Sequence, residues 1–262
     1  MSGSGIIRYR MQVRAGIEIA SLSDVGCQRE NNEDRHSYWE PAVDEQLPRK
    51  GRLAIVADGM GGHKGGQEAS RIAVESIEES YSAAGEGNPQ DLLVASFRVA
   101  HQRIQQYARA HPALLGMGTT ATAILIFPTY LLYAHVGDSR LYRVHGSNIT
   151  RLTHDHSYVG RLVEGGMISA EDADHHPQRH ILTAALGAGP DVEPEVSGAT
   201  IPLDAGDVLV LCTDGLWSLM ADEEIYQTVT THVPSEACRL LIDLAKQRGG
   251  PDNITVQLLR IC

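Results

Sequence analysis

The chain has 262 residues, 42% of them hydrophobic, enough for one large domain or two small ones with a substantial core. Its formal charge of −11 argues against a nucleic acid as the main partner, because phosphate backbones favour basic surfaces. Cys27, Cys212, Cys238 and Cys262 form no Cys-x-x-Cys pair and no disulfide framework, so reduced thiols in a cytoplasmic protein are expected. Residues 1–16 hold no apolar signal core, and the most apolar stretch, 121–136, is interrupted by Pro128 and Thr129. It reads as a hairpin rather than a membrane span.

In chain order, residues 17–22 alternate like a first strand. A loop at 40–51 leads into an apolar strand at 52–57. Residues 61–66 are too rich in glycine to expect regular structure. A helix follows, with Ala69, Ile72, Ala73, Ser76, Ile77 and Tyr81 on one face at 3.6-residue spacing. A second helix over 89–110 presents Leu93, Phe97, Ala100, Ile104 and Tyr107, with Asn88 or Asp91 as its cap. Four strands are expected at 119–127, 131–136, 140–144 and 148–152, and their short turns require antiparallel pairing. The polar, histidine-rich residues 154–190 suggest short helices on a mobile loop. A strand at 207–213, a helix near 222–230, a helix at 235–248 capped by Ser235, and a last strand at 253–261 complete the chain. Strands combined with paired helices predict an α+β layered fold, one domain over 17–262 after a tail at 1–16.

The chemistry lies in the aspartates. Asp58 and Asp214 each follow an apolar run and precede a glycine; Asp34, Asp138 and Asp252 stand in Asn32-Glu33-Asp34, Gly137-Asp138-Ser139-Arg140 and Pro251-Asp252-Asn253. One Asp-Gly alone is most simply a turn. Several strand ends meeting would instead make an all-oxygen site suited to Mg²⁺ or Mn²⁺.

The segments Gly26-x-x-Arg29-x-x-Asn32-Glu33-Asp34, Asp58-Gly59-Met60-Gly61-Gly62-His63, Gly116-x-Gly118-Thr119-Thr120, Gly137-Asp138-Ser139-Arg140, Leu152-Thr153-x-Asp155-His156, Thr213-Asp214-Gly215-Leu216-Trp217 and Asp252-Asn253-Ile254-Thr255 occur together in this order. Jointly they resemble the PPM-type, or type 2C, metal-dependent protein serine/threonine phosphatases, with Met60 pointing to the bacterial branch. The resemblance spans about 17–261. It implies a four-layer α-β-β-α sandwich of two antiparallel sheets flanked by helix pairs, with a flap at about 155–185 beside the active site. It further implies that Asp34, Asp58, the carbonyl of Gly59, Asp214 and Asp252 hold two Mn²⁺ or Mg²⁺ ions. Asp138 with Asp214 would hold a third, and Glu33 would act through water. The implied reaction is hydrolysis of phosphoserine and phosphothreonine by direct attack of a metal-bridging water.

Arg29 is the expected phosphate handle, since a guanidinium fork engages two phosphate oxygens. Many relatives carry a histidine where this chain has Met60, so the general acid does not carry over. His63 is near in sequence, but a loop histidine is its simpler reading, and a metal-bound water is the preferred acid. Asp172, His175, His176 and His180 lack helical ligand spacing and are read as flap side chains that meet the substrate protein. Tyr130, Tyr133 and Tyr142 are read as packing residues. The expected partners are phosphorylated proteins, either targets of a eukaryotic-type serine/threonine kinase or the kinase itself, with no nucleic acid and no membrane, and the chain is expected to be a monomer. The alternative, a non-catalytic phosphoprotein-binding pseudophosphatase, would be expected to lack one or more of these aspartates.

Overall fold

The computed structural model describes residues 16–61, 64–169, 172–173, 176–179 and 181–262. The chain enters through β1 (Ile17–Asp24), β2 (Asp34–Trp39), the single turn α1 (Leu47–Lys50) and β3 (Arg52–Met60). Two long helices follow, α2 (Lys64–Ala83) and α3 (Pro89–Ala110). The strand region comprises β4 (Gly118–Thr119), β5 (Ala121–Ile126), β6 (Tyr130–Val136), β7 (Arg140–His145) and β8 (Asn148–Arg151). After α4 (Tyr158–Glu164) come β9 (Glu195–Val196), β10 (Ile201–Pro202), β11 (Val208–Cys212), α5 (Asp214–Trp217), α6 (Asp222–Thr231), α7 (Pro234–Gln247) and β12 (Ile254–Ile261).

The strands form two antiparallel sheets. The first has the order β1-β12-β11-β7-β8; the second runs β10-β6-β5-β3-β2, with β4 added to β3 and β9 to β6. The alternation within each central strand explains the stacking, because successive side chains leave opposite faces. Leu53, Ile55 and Ala57 of β3 face α2 and α3, alongside Ile77, Leu93, Phe97 and Ile104. Ala54 and Val56 of the same strand face the other sheet, with Leu209 and Leu211 of β11 and Leu259 of β12. Val208, Val210 and Cys212 turn outward onto Ile225, Leu241 and Ile242 of α6 and α7. Three apolar interfaces thus separate four layers, in agreement with the expected sandwich. Asn88 caps α3 by accepting from the amides of Gln90 and Asp91.

Several local expectations are corrected. Residues 34–39 form a strand, β2, that was not anticipated, because Arg35, His36 and Ser37 break the apolar alternation of an edge strand. The turn between β6 and β7 does not make a hairpin: β6 belongs to one sheet and β7 to the other. Gly137, at φ +109°, permits this crossover with its Cα against the Thr120 side chain, where a Cβ would lie 2.5 Å from Cγ2. Helix α2 already begins at Lys64, within the glycine run. The cap of α7 is Val233 with Pro234 at the first turn, not Ser235. Residues 121–136 do form a hairpin, β5 with β6. All four cysteines are free thiols. Tyr142 is fully buried and Tyr130 stacks on Phe127, both packing residues as expected.

Candidate active site

Antiparallel pairing of β2 with β3 sets Asp34 opposite Asp58. In the other sheet, β11 and β12 pair so that Cys212 faces Val256, which brings Thr213-Asp214 and Asp252-Asn253 to the same end of the sandwich. The two sheets are tied together there by side chains. The hydroxyls of Thr213 and Thr255 donate to Asp34 Oδ2 at 2.9 and 2.6 Å, and Thr213 Oγ1 in turn accepts the amide of Thr255 at 3.0 Å. Among the described residues, Asp34 Oδ1 is buried and has no hydrogen-bond donor.

The cluster is electrostatically costly as it stands. Burial, and then the charges of Asp214 and Asp252, push the Asp34 carboxyl up to about 7 despite its two threonine donors. Burial, followed by Asp34, Asp214, Asp138 and Asp252, raises Asp58 well above the carboxylate range. Burial, then Asp214 and Asp155, does the same for Asp138, with Arg140 opposing. Gathered anions with all-oxygen donors are what a hard divalent cation would neutralise.

Asp58, Asp138, Asp214 and Asp252 line a cavity of about 1000 Å³, together with Arg29, Glu33, Gly59 and Met60, with Asp34 buried behind them. Arg29 Nη2 lies 2.7 Å from Asp252 Oδ2, and its side chain remains 54% exposed, so the guanidinium reaches the rim while anchored to the cluster. Asp138 sits on the crossover turn, its carbonyl accepting from Trp217 Nε1 at 2.9 Å. The amide of Asp58 donates to Thr120 Oγ1 at 2.9 Å, and its carbonyl accepts from Thr119 Oγ1 and the Thr120 amide. Glycine is required where α2 meets the end of β3: a Cβ on Gly59 would lie 2.1 Å from the Gly66 carbonyl oxygen, and one on Gly66 would lie 1.9 Å from Glu33 Oε2. The glycine run that read as irregular therefore seats a helix start directly against the aspartate-bearing strand.

All eight residues singled out in the sequence, Arg29, Glu33, Asp34, Asp58, Gly59, Asp138, Asp214 and Asp252, gather at this end of the sandwich. The supporting residues Thr213, Thr255, Asn253 and Thr120 stood in the quoted motifs without an assigned part. Asn253 Oδ1 accepts the amide of Glu33 at 2.7 Å, and its Nδ2 donates to the carbonyls of Val25 and Asn31. Arg179 also lines the cavity and had drawn no notice. Asp172 accepts from Ser169, and His176 lies beside the Tyr158 ring. Among the described residues, no group able to hold a metal includes either. His63, His175 and His180 lie outside the described residues.

Residues 28–241 match the family model for Protein phosphatase 2C. The chain is 35% identical over 248 residues to protein phosphatase PhpP of Streptococcus pneumoniae, covering 93% of this chain and 97% of that protein. The crystal structure of the Mycobacterium tuberculosis serine/threonine phosphatase PstP superposes with a TM-score of 0.83 at 36% identity, covering 94% of this chain and 99% of that one. A catalytic-domain structure of PstP in complex with two manganese ions superposes with a TM-score of 0.80 at 34% identity, covering 94% and 98%.

Proposed function

This chain belongs to the protein phosphatase 2C family, and we propose that it removes phosphate from phosphoserine and phosphothreonine with Asp34, Asp58, the Gly59 carbonyl, Asp214 and Asp252 holding two divalent cations. It is a metal-dependent serine/threonine protein phosphatase. The observation that carries the residue assignment is the convergence of strand-end carboxylates from both sheets on one cavity with Arg29 at its rim.

The residues fit the cations. Among the described residues Asp34 Oδ1 is buried and undonated, and the burial and mutual repulsion that raise Asp34, Asp58 and Asp138 are what a bound cation would offset. When bound, such ions supply an activated water and screen the charge of the arriving phosphate. The protein's own part is placement. Thr213 and Thr255 orient Asp34, Thr120 orients Asp58, and Asn253 fixes the backbone of Glu33. Arg29, held by Asp252, presents a guanidinium to two oxygens of the phosphate. Asp138 with Asp214 is the place for a third ion. The pseudophosphatase reading loses its motive, because none of the expected aspartates is missing from the sequence.

Residues 155–185 form the flap, and phosphorylated proteins contact it on their way to the cavity. The partners are targets of a eukaryotic-type serine/threonine kinase, or that kinase, in bacterial signalling in the cytoplasm, with the phosphatase acting as a monomer. The test is hydrolysis of p-nitrophenyl phosphate and of a phosphothreonine peptide with and without Mn²⁺. Turnover of both only with the ion supports the assignment, and metal-independent turnover refutes it.

A further inference from the structure

The flap leaves the sandwich through an extended segment, His154-Asp155-His156, whose side chains alternate between two faces. On one face Asp155 receives Arg140 in a fork, Nε at 3.0 Å and Nη2 at 2.6 Å. The same guanidinium lies 3.6 Å over the Trp217 ring. On the other face stands Glu195 of β9, which pairing with β6 places opposite His135. Its carboxylate accepts the amide of His154 at 3.1 Å, faces His154 Nδ1 at 3.1 Å, and accepts the Tyr133 hydroxyl at 2.7 Å. His156 Nδ1 accepts the amide of Gly137 at 3.3 Å, so in the neutral ring the proton sits on Nε2, which faces Glu195 Oε2 at 3.6 Å. The amide of His156 donates to the Gly137 carbonyl at 2.7 Å, one residue before Asp138.

Beyond this point the two stems of the flap hold each other. Thr183 N donates to the His156 carbonyl and Tyr158 N to the Ile181 carbonyl, both at 2.7 Å. The returning stem carries Arg179, Leu182, Thr183, Ala184 and Ala185 into the wall of the cavity. Whatever sets the root at 154–156 therefore sets that wall. The cluster of His135, His156 and Glu195 is compact enough to suggest a metal site. Its hydrogen bonding argues otherwise: His135 Nδ1 is engaged by Thr122 and its Nε2 by the carbonyls of Gly137 and His154.

We infer that Glu195 is a positioning residue for protein substrates, clasping the flap root to the crossover turn so that the returning stem forms one wall of the phosphate cavity. The inference rests on the phosphatase reading and on the flap's contact with protein substrates. Burial alone would push the Glu195 carboxyl up, but the neighbouring His156 and the donors Tyr133 and His154 outweigh it and hold it down at about 2, so the carboxylate is charged at neutral pH. The carboxylate does not line the cavity, so a substrate too small to touch the flap should not sense its loss.

The experiment compares wild type with Glu195→Ala and Glu195→Gln in the 262-residue, Mn²⁺-loaded chain, on p-nitrophenyl phosphate and on a phosphothreonine protein. Glu195→Ala is expected to raise KM for the phosphoprotein by roughly fivefold or more while kcat on p-nitrophenyl phosphate stays within about twofold. Glu195→Gln, which keeps an acceptor for Tyr133 but loses the charge, should fall between. Limited trypsin digestion gives a readout independent of turnover: cleavage after Arg161 or Arg179 should be faster in Glu195→Ala, at an unchanged rate of cleavage elsewhere. If wild type hydrolyses neither substrate, the phosphatase reading fails while the digestion still decides the clasp. Equal losses on both substrates, or an unchanged phosphoprotein KM with unchanged digestion, would overturn the inference.

Discussion

Asp34 is the residue at which the cost of the site is most visible: a buried carboxylate with one oxygen held by two threonines and the other undonated among the described residues. Its ordinary value of 3.8 is raised to about 7, chiefly by burial and then by its acidic neighbours. A folded-state value above the unfolded one means that the metal-free fold binds an extra proton between these limits. Stability from this source is complete below 3.8 and is lost as pH rises through about 7. The metal-free protein should therefore melt at a higher temperature near pH ~5.5 than near pH ~8, and Mn²⁺ should abolish or reverse the difference. Melting in EDTA that improves steadily with pH would contradict this. Asp138 makes a separate prediction. Asp138→Ala should lower kcat on a phosphothreonine peptide more than on p-nitrophenyl phosphate, because an alkoxide leaving group needs a proton that p-nitrophenolate does not. A uniform loss on both substrates would remove Asp138 from leaving-group chemistry. The aspartates were legible in the sequence because each stood in a joint motif. The threonines that orient them were not singled out, because a hydroxyl becomes informative only when its acceptor is known.

At the scale of elements, the site depends on how closely backbones approach. The start of α2 lies against the end of β3 through Gly59 and Gly66, each occupying space that a Cβ would take from backbone or from Glu33. Gly59→Ala is the harsher change, because it meets the carbonyl oxygen of Gly66 at 2.1 Å rather than a movable side chain. Either substitution should destabilise the fold by about 1–3 kcal/mol and weaken Mn²⁺ activation, read from denaturant melts and a metal titration. Neutral behaviour of Gly59→Ala in both measurements would show that the packing there is looser than described. The helices were legible from their 3.6-residue faces, and β3 and β11 from their apolar runs. The edge strand β2 was not, since its outward side chains are polar. The crossover between β6 and β7 was not either: three residues between two strands ordinarily signal a hairpin, and only the Gly137 backbone and its contact with Thr120 send the next strand to the other sheet. That exception has a consequence, because it places Asp138 where the two sheets meet the cavity.

The whole molecule joins two half-sites. One sheet contributes Asp34, Asp58 and Gly59, the other Asp214 and Asp252, and the inter-sheet core of Val56, Leu209, Leu211 and Leu259 sets their spacing. An α+β layered fold was anticipated from the element order, and its four layers from the family resemblance. The assignment of particular strands to particular sheets was not, because alternation shows that a strand has two faces but not which neighbour each face meets. The central claim is that these half-sites act only through divalent cations held between them. The direct measurement is turnover of p-nitrophenyl phosphate and a phosphothreonine peptide by protein dialysed against EDTA and then titrated with Mn²⁺, with Asp58→Asn run in parallel and its fold checked by circular dichroism. The account predicts no turnover in EDTA, full recovery with Mn²⁺ in the wild type, and background rates at every Mn²⁺ concentration in a folded Asp58→Asn. Full activity in EDTA, or Mn²⁺-activated turnover by Asp58→Asn equal to wild type, would contradict it.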